Sequence, residues 1–193
     1  MNEIITPLPR AKIVPEEGQS VFVVSDTHFD HKNIIKYCGR PFNSVEEMNE
    51  ALVKNWNKEV KPEDLVLILG DVAYGRFSQG PSYWLNRLNG KKILIKANHD
   101  LGFISGCEAV IKCGAILEYA DEKFLLVHQP DSISSSDFED LWKIHGHTHN
   151  SNMELFPLVN HTNKTMNVSV ELIGYKPINI KDLIRIRQEE TAK

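Results

Sequence analysis

Apolar residues gather along the chain in short runs, each closed by polar or turn-forming residues. SVFVV (20–24), LVLILG (65–70) and KILIKA (92–97) are nearly continuous apolar stretches of strand length, the pattern of buried strands. AILEYA and KFLLVH read as a β-hairpin around Asp121 and Glu122, and LWKIHG and KTMNVSVEL as two further strands. Between the early strands the period changes. NIIKYC opens a short helix. In SVEEMNEALVKNWNKEV, Val45, Met48, Leu52 and Trp56 recur at helical spacing on one face, and Ser44 with Glu47 fits a capping box. PSYWLNRLN is a third helix, with Pro81 suited to its first turn. Helices interleave with strands in the first half and strands dominate the second. That order predicts an α/β start followed by a mixed sheet or two packed sheets. Residues 1–19, which hold Pro7, Pro9 and Pro15, read as an irregular arm laid on the body or disordered; residues 20–193 read as one domain.

Composition narrows the function classes. Hydrophobic residues make up 41% of 193 and charged ones 25%, the balance of a soluble globular chain with room for a substantial core. A net charge of −4, with no basic stripe carrying interleaved aromatics, argues against a long nucleic acid partner. There is no secretory apolar stretch at the start and no run of bilayer length, so a membrane partner is not expected and a cytoplasmic location is. Cys38, Cys107 and Cys113 are odd in number and lack C-x-x-C spacing, which speaks for a reducing compartment and for cysteines that pack rather than react.

The chemistry stands at the strand ends. SVFVV runs into Asp26-Thr27-His28, LVLIL into Gly70-Asp71, KILIKA into Asn98-His99-Asp100, FLLV into His128, and LWKI into His145-Gly146-His147-Thr148-His149. In open α/β sheets, ligands bind outside the carboxyl ends of strands. Any one of these histidines alone reads as a surface or core residue. Asp26, His28, Asp71, Asn98, His128, His147 and His149 together, in this order, read as metal ligands. Imidazoles, carboxylates and one amide without thiolates suit manganese, iron, zinc, cobalt or nickel better than calcium or magnesium. Seven such side chains exceed one tetrahedral ion and match two divalent ions that share a bridging carboxylate.

The order Asp-x-His, Gly-Asp, Asn-His-Asp, His, Gly-His-x-His resembles the calcineurin-like metallophosphoesterase superfamily from about Ser20 to Glu171. SDTHFDHKNII, the RPF at 40–42, RLNGKK and GHTHN resemble a small bacterial and phage subfamily of phosphoesterases. The resemblance implies an α/β fold of two mixed β-sheets packed as a sandwich and flanked by helices, with the metals at one edge. It implies that Asp26, His28, Asp71 and His149 hold one metal ion, and that Asp71, Asn98, His128 and His147 hold the other. It implies further that His99 contacts the phosphate or protonates the leaving oxygen, and that a hydroxide activated by the metals is the nucleophile.

Two positions depart from the pattern. Ala97 stands where the family writes glycine, a strained choice if the site needs positive φ. Tyr74, in GDVAYGR, stands where the superfamily's Ser/Thr phosphatases carry a second aspartate, which points away from a protein phosphatase. The expected activity is hydrolysis of a small or nucleotide-type phosphodiester. The alternatives are a phosphomonoesterase acting on a nucleotide or sugar phosphate, and a non-catalytic metal-dependent binding module. His31, Asn33 and Arg40 each read as a substrate contact or a surface residue; Arg40 could fork onto a phosphate. Asp100 reads as support behind the ligands or as a helix cap. His145 reads as structural or supporting, and His161, in NHTNKT, as solvated. Tyr37, Phe42, Tyr74 and Phe77 could each stack a base or pack in the core.

Overall fold

A strand buries four consecutive apolar side chains only when both of its faces are covered, and VFVV is such a strand. In the computed structural model, which describes residues 11–75, 78–97, 100, 104–133 and 138–191, β2 (Val21–Val24) and β3 (Leu65–Ile68) are buried throughout. They pair in parallel at the centre of a five-stranded sheet. Its order is β11 (Ile178–Asn179), β2, β3, β4 (Lys91–Ile95), β5 (Ala109–Ile111). A six-stranded sheet packs with it, in the order β1 (Ala11–Ile13), β6 (Ala115–Tyr119), β7 (Glu122–Leu126), β8 (Trp142–His145), β10 (Thr165–Asn167), β9 (Val159–Asn160). One cluster of buried apolar residues takes side chains from both sheets, from Val23 and Leu67 on one to Leu117 and Ile144 on the other.

Among the described residues four helices accompany the sheets: α1 (Ile34–Tyr37), α2 (Val45–Glu59), α3 (Pro81–Leu85) and α4 (Ile180–Thr191). In α2, Met48, Leu52 and Trp56 are buried along one stripe, and Ser44 Oγ accepts from the Glu47 amide. The other half of the expected box is displaced by one residue, because the Glu47 carboxylate takes the Asn43 amide.

Four features depart from expectation. Residues 11–13, inside the segment expected to be irregular, form β1, which adds in parallel to β6. The hairpin between β6 and β7 turns on Ala120 and Asp121, both at positive φ (50° and 63°), one residue earlier than the pattern suggested. α4, β5, β9 and β11 had no counterpart in the sequence reading. The strands are two or three residues long, and α4 buries a narrow face that includes Arg187. KTMNVSVEL is not one strand. After Asn167 the chain leaves the larger sheet and crosses to the smaller one: Val168 N bonds His145 O, Val168 O accepts from Ser25 N, and Val170 N bonds Ser25 O. This crossing ties the two sheets together where β2 and β8 end.

Candidate metal centre

The carboxyl ends of β2, β3, β7 and β8 meet at that crossing. Backbone bonds lace their loops to one another: Asp26 N to Gly70 O, His28 N to Asp71 O, and Gly146 N to His128 O. Five of the predicted ligands sit in the left-handed region, at φ 61° for Asp26, 49° for His28, 52° for Asp71, 70° for His147 and 48° for His149. Aspartate and histidine tolerate this region better than most residues, yet each such position costs on the order of 1 kcal/mol. The surrounding bonds hold the chain there and turn the side chains inward from tight corners.

Two glycines make the corners close. A Cβ at Gly146 would overlap Ser25 Oγ and Asp26 Oδ2, so only glycine lets β8 end against β2. Gly70, at φ 86°, faces the Ala97 methyl group and the His128 ring, and a Cβ there would lie 2.9 Å from His128 Nδ1. Ala97 itself is not among the residues with positive φ, so alanine meets no backbone strain at that position.

The donor atoms converge. Asp71 Oδ2 lies 3.5 Å from His28 Nε2 and 3.5 Å from His128 Nε2. Asp26 Oδ1 lies 3.8 Å from His28 Nε2 and 3.7 Å from His149 Nε2. His147 Nδ1 stands 3.2 Å from His128 Nε2. Two donors bound to one cation at about 2.1 Å stand roughly 3.0–3.4 Å apart, so contraction by a few tenths of an ångström would close these sets. Asp26 is fully buried, and its Oδ1 has no hydrogen-bond partner among the described residues. A buried carboxylate oxygen left this way is costly unless a cation compensates it. The donor set therefore fits divalent metal, in the groupings Asp26, His28, His149 and Asp26, Asp71, His128.

Neighbouring groups fix which ring nitrogen faces inward. His128 Nδ1–H donates to Leu69 O at 2.7 Å, which leaves Nε2 as a lone pair toward Asp71. His149 Nδ1 meets Glu171 Oε1 at 3.1 Å. Burial alone would lower the pKa of His149. Its contacts with Cys38 and Glu171 and the charges of Asp26 and Glu171 outweigh that and raise it to about 10. Burial would raise the Glu171 pKa, but the His149 hydrogen bond and the Arg40 charge hold it below the usual value. The surroundings thus favour positive charge at this corner. Asp26 Oδ2 accepts from the His147 amide and from Ser169 Oγ. Asp100 accepts from the amides of Asp71, Val72 and Ala97 and so shapes the Asp71 turn from behind.

Of the predicted site residues, Asp26, His28, Asp71, His128, His147 and His149 come together. Asn98 and His99 lie outside the described residues, as does Phe77. His31 stands beside the centre, its Nδ1 3.3 Å from His28 Nδ1. Asn33 heads α1 and lines a neighbouring cavity. Arg40 as a substrate contact is corrected. Its side chain is fully buried, and its guanidinium donates to the carbonyls of Asp26 and Thr27 and pairs with Glu171. His145 is buried, bonded through Nδ1 to Gly146 O and set edge-on to Phe156; burial lowers its pKa to about 4. His161 is exposed, with its ring edge-on to Trp142. Phe42 packs against the core, whereas Tyr37 and Tyr74 are exposed. Glu171 was missed as a supporting residue. Its signal was the alternation of Asn167, Ser169 and Glu171 with Val168 and Val170, which aims polar side chains to one side of a strand-like segment.

Comparison with known proteins gives a consistent result. The family model for calcineurin-like phosphoesterases matches residues 20–188. An uncharacterized protein of Methanocaldococcus jannaschii is 41% identical over 172 residues, which cover 87% of this chain and 91% of that one. The gene 66 protein of Mycobacterium phage L5 is 33% identical over 84 residues, 42% of this chain and 40% of the phage protein. The crystal structure of a protein of unknown function from Aquifex aeolicus superposes with a TM-score of 0.69 at 25% identity, covering 88% of this chain and all of that one.

Proposed function

The chain belongs to the calcineurin-like phosphoesterase family, and we propose that it is a phosphodiesterase that works with two divalent cations on a small diester, nucleotide-type substrates included. The observation that carries the reading is Asp71. Its Oδ2 is equidistant, at 3.5 Å, from a histidine of each expected ligand set, the arrangement a shared carboxylate requires. Asp26, His28, Asp71 and His149 would hold one cation; Asp71, His128 and His147, with Asn98 from the resemblance, would hold the other. Manganese, iron, zinc and nickel all suit these donors.

Such cations supply Lewis acidity that activates water and neutralises phosphoryl oxygens. The chain does the rest. Leu69 O and Glu171 hold the rings of His128 and His149 with Nε2 inward. Arg40 and Asp100 pin the turns that carry Asp26 and Asp71. His99, by resemblance, delivers a proton to the leaving oxygen. A diester is favoured over a monoester on charge. A monoester dianion calls for extra cations, and the guanidinium of Arg40 is already committed to Glu171 and backbone carbonyls. The same proposal expects a cytoplasmic activity without a membrane or long nucleic acid partner, as the composition and charge of the sequence suggest.

The test is hydrolysis of bis-p-nitrophenyl phosphate against p-nitrophenyl phosphate, by metal-stripped protein and after manganese, nickel or zinc is restored, with bound metal counted. Metal-dependent cleavage, faster on the diester and with two ions per chain, is expected. Preference for the monoester, or cleavage with one ion bound, would overturn the reading.

A further inference from the structure

A cavity of about 700 Å³ opens beside the metal centre, between the β2–α1 turn, α2 and α3. His31 and Tyr74 form the wall it shares with the centre. The Tyr74 ring lies 4.6 Å from His31 and 6.5 Å from His28, so a group held at the centre is one ring's length from this space. Tyr74 is 41% exposed and Tyr83, across on α3, 46%. Below them Trp84 is buried, stacked on Phe29 at 4.6 Å and nearly parallel.

The charges in this cavity are mostly consumed by the protein. Asp30 accepts from Asn49 Nδ2, Ser78 Oγ, the Gln79 amide and Trp84 Nε1. Glu50 and Arg87 form a two-point pair at 2.8 Å. With Glu46 and Lys32 included, the lining carries, among the described residues, three carboxylates against two cations. A second phosphate would meet net negative charge here. A flat, uncharged ring would meet the partly exposed rings of Tyr74 and Tyr83 and the amide side chains of Asn33 and Gln79.

We propose that this cavity holds one ester arm of the substrate, and that the arm is an uncharged, ring-bearing group of the nucleoside type rather than a further phosphate. The inference rests on the phosphodiesterase reading above and narrows it to a substrate class.

The test reads binding without turnover. Adenosine and thymidine, which have no ester to cleave, are titrated into the metal-loaded full chain and followed by saturation-transfer NMR, with Tyr74→Ala and Tyr83→Ala alongside. Saturable binding is expected, weakened about fivefold or more by each variant, since base–aromatic stacking is worth roughly 1–3 kcal/mol. Inorganic pyrophosphate should leave the bound nucleoside in place. Thermal unfolding checks both variants, and because the two tyrosines are exposed on different elements, either one suffices if the other misfolds. Binding that is absent, unchanged in both variants, or displaced by pyrophosphate overturns the proposal. If bis-p-nitrophenyl phosphate is still cleaved in that case, the phosphodiesterase reading stands without it. Nucleoside bound with no diester cleaved by any metal-loaded form overturns that reading, and with it the substrate arm assigned here.

Discussion

Arg40 and Glu171, 131 positions apart, form a buried ion pair, with Arg40 Nη2 2.7 Å from Glu171 Oε1. The same carboxylate oxygen holds His149 Nδ1 at 3.1 Å. Arg40 also donates to Asp26 O and Thr27 O, so one guanidinium reaches the turn that carries Asp26 and, through Glu171, the ring of His149.

Arg40→Met takes from buried Glu171 its guanidinium partner and leaves it the His149 contact, and breaking a buried ion pair costs up to about 3–5 kcal/mol. The variant should unfold at lower denaturant and bind metal roughly 10–100-fold more weakly, the range for partners that orient a ligand. Urea unfolding and metal titration measure the two effects. Metal affinity equal to wild type would sink the positioning role.

Asp71→Asn removes charge from the oxygen shared between the two histidine sets. Metal content, read by mass spectrometry of the native protein, should fall below two ions per chain. Diester hydrolysis should drop by more than about 100-fold, beyond the effect of an outer partner. Full occupancy with near-normal rate would show that Asp71 does not bridge.

Gly146→Ala should be poorly tolerated, because its methyl group would meet Ser25 and Asp26 at the junction of the sheets. A loss of about 1–3 kcal/mol is expected from overpacking, together with weakened metal binding as Asp26 shifts. An alanine variant as stable as wild type in urea would mean that the junction yields freely.

Burial pushes the Cys107 thiol up to about 11, against a smaller opposing pull from Lys92. A raised folded-state pKa stabilises below the unfolded value. That contribution should be lost between about pH 9 and 11, as the unfolded chain ionises first. Iodoacetamide labelling followed by peptide mass mapping should find Cys107 slow at pH 8 and faster only as pH approaches 11. Labelling at pH 8 at the rate of a free thiol would contradict this.

Much of the centre was legible because buried strands are apolar without interruption, so an Asp or His at their end stands out. SVFVV into Asp26 and LVLIL into Asp71 are cases of this. The supports were harder to read. Arg40 looks like a surface arginine from its neighbours Gly39 and Pro41, and only the fold brings Glu171 to it. Ser169 and Glu171 looked like part of a strand, whereas the chain there is changing sheets, a long-range event with no local signature. β5, β9 and β11 are too short for any period to show. The left-handed backbone at Asp26, His28, Asp71, His147 and His149 was equally hidden, because it is imposed by cross-strand bonds and not by glycine.

That left-handed backbone has an evolutionary consequence. His147 is exposed and held at φ 70°, a conformation that glycine adopts without steric penalty. At such a corner, robustness and chemistry select different residues. Drift under stability alone would replace the imidazole, so a His147 that serves the proposed centre persists only while that role is under selection. A lineage that lost its substrate should lose this histidine early, while the rest of the fold remained intact.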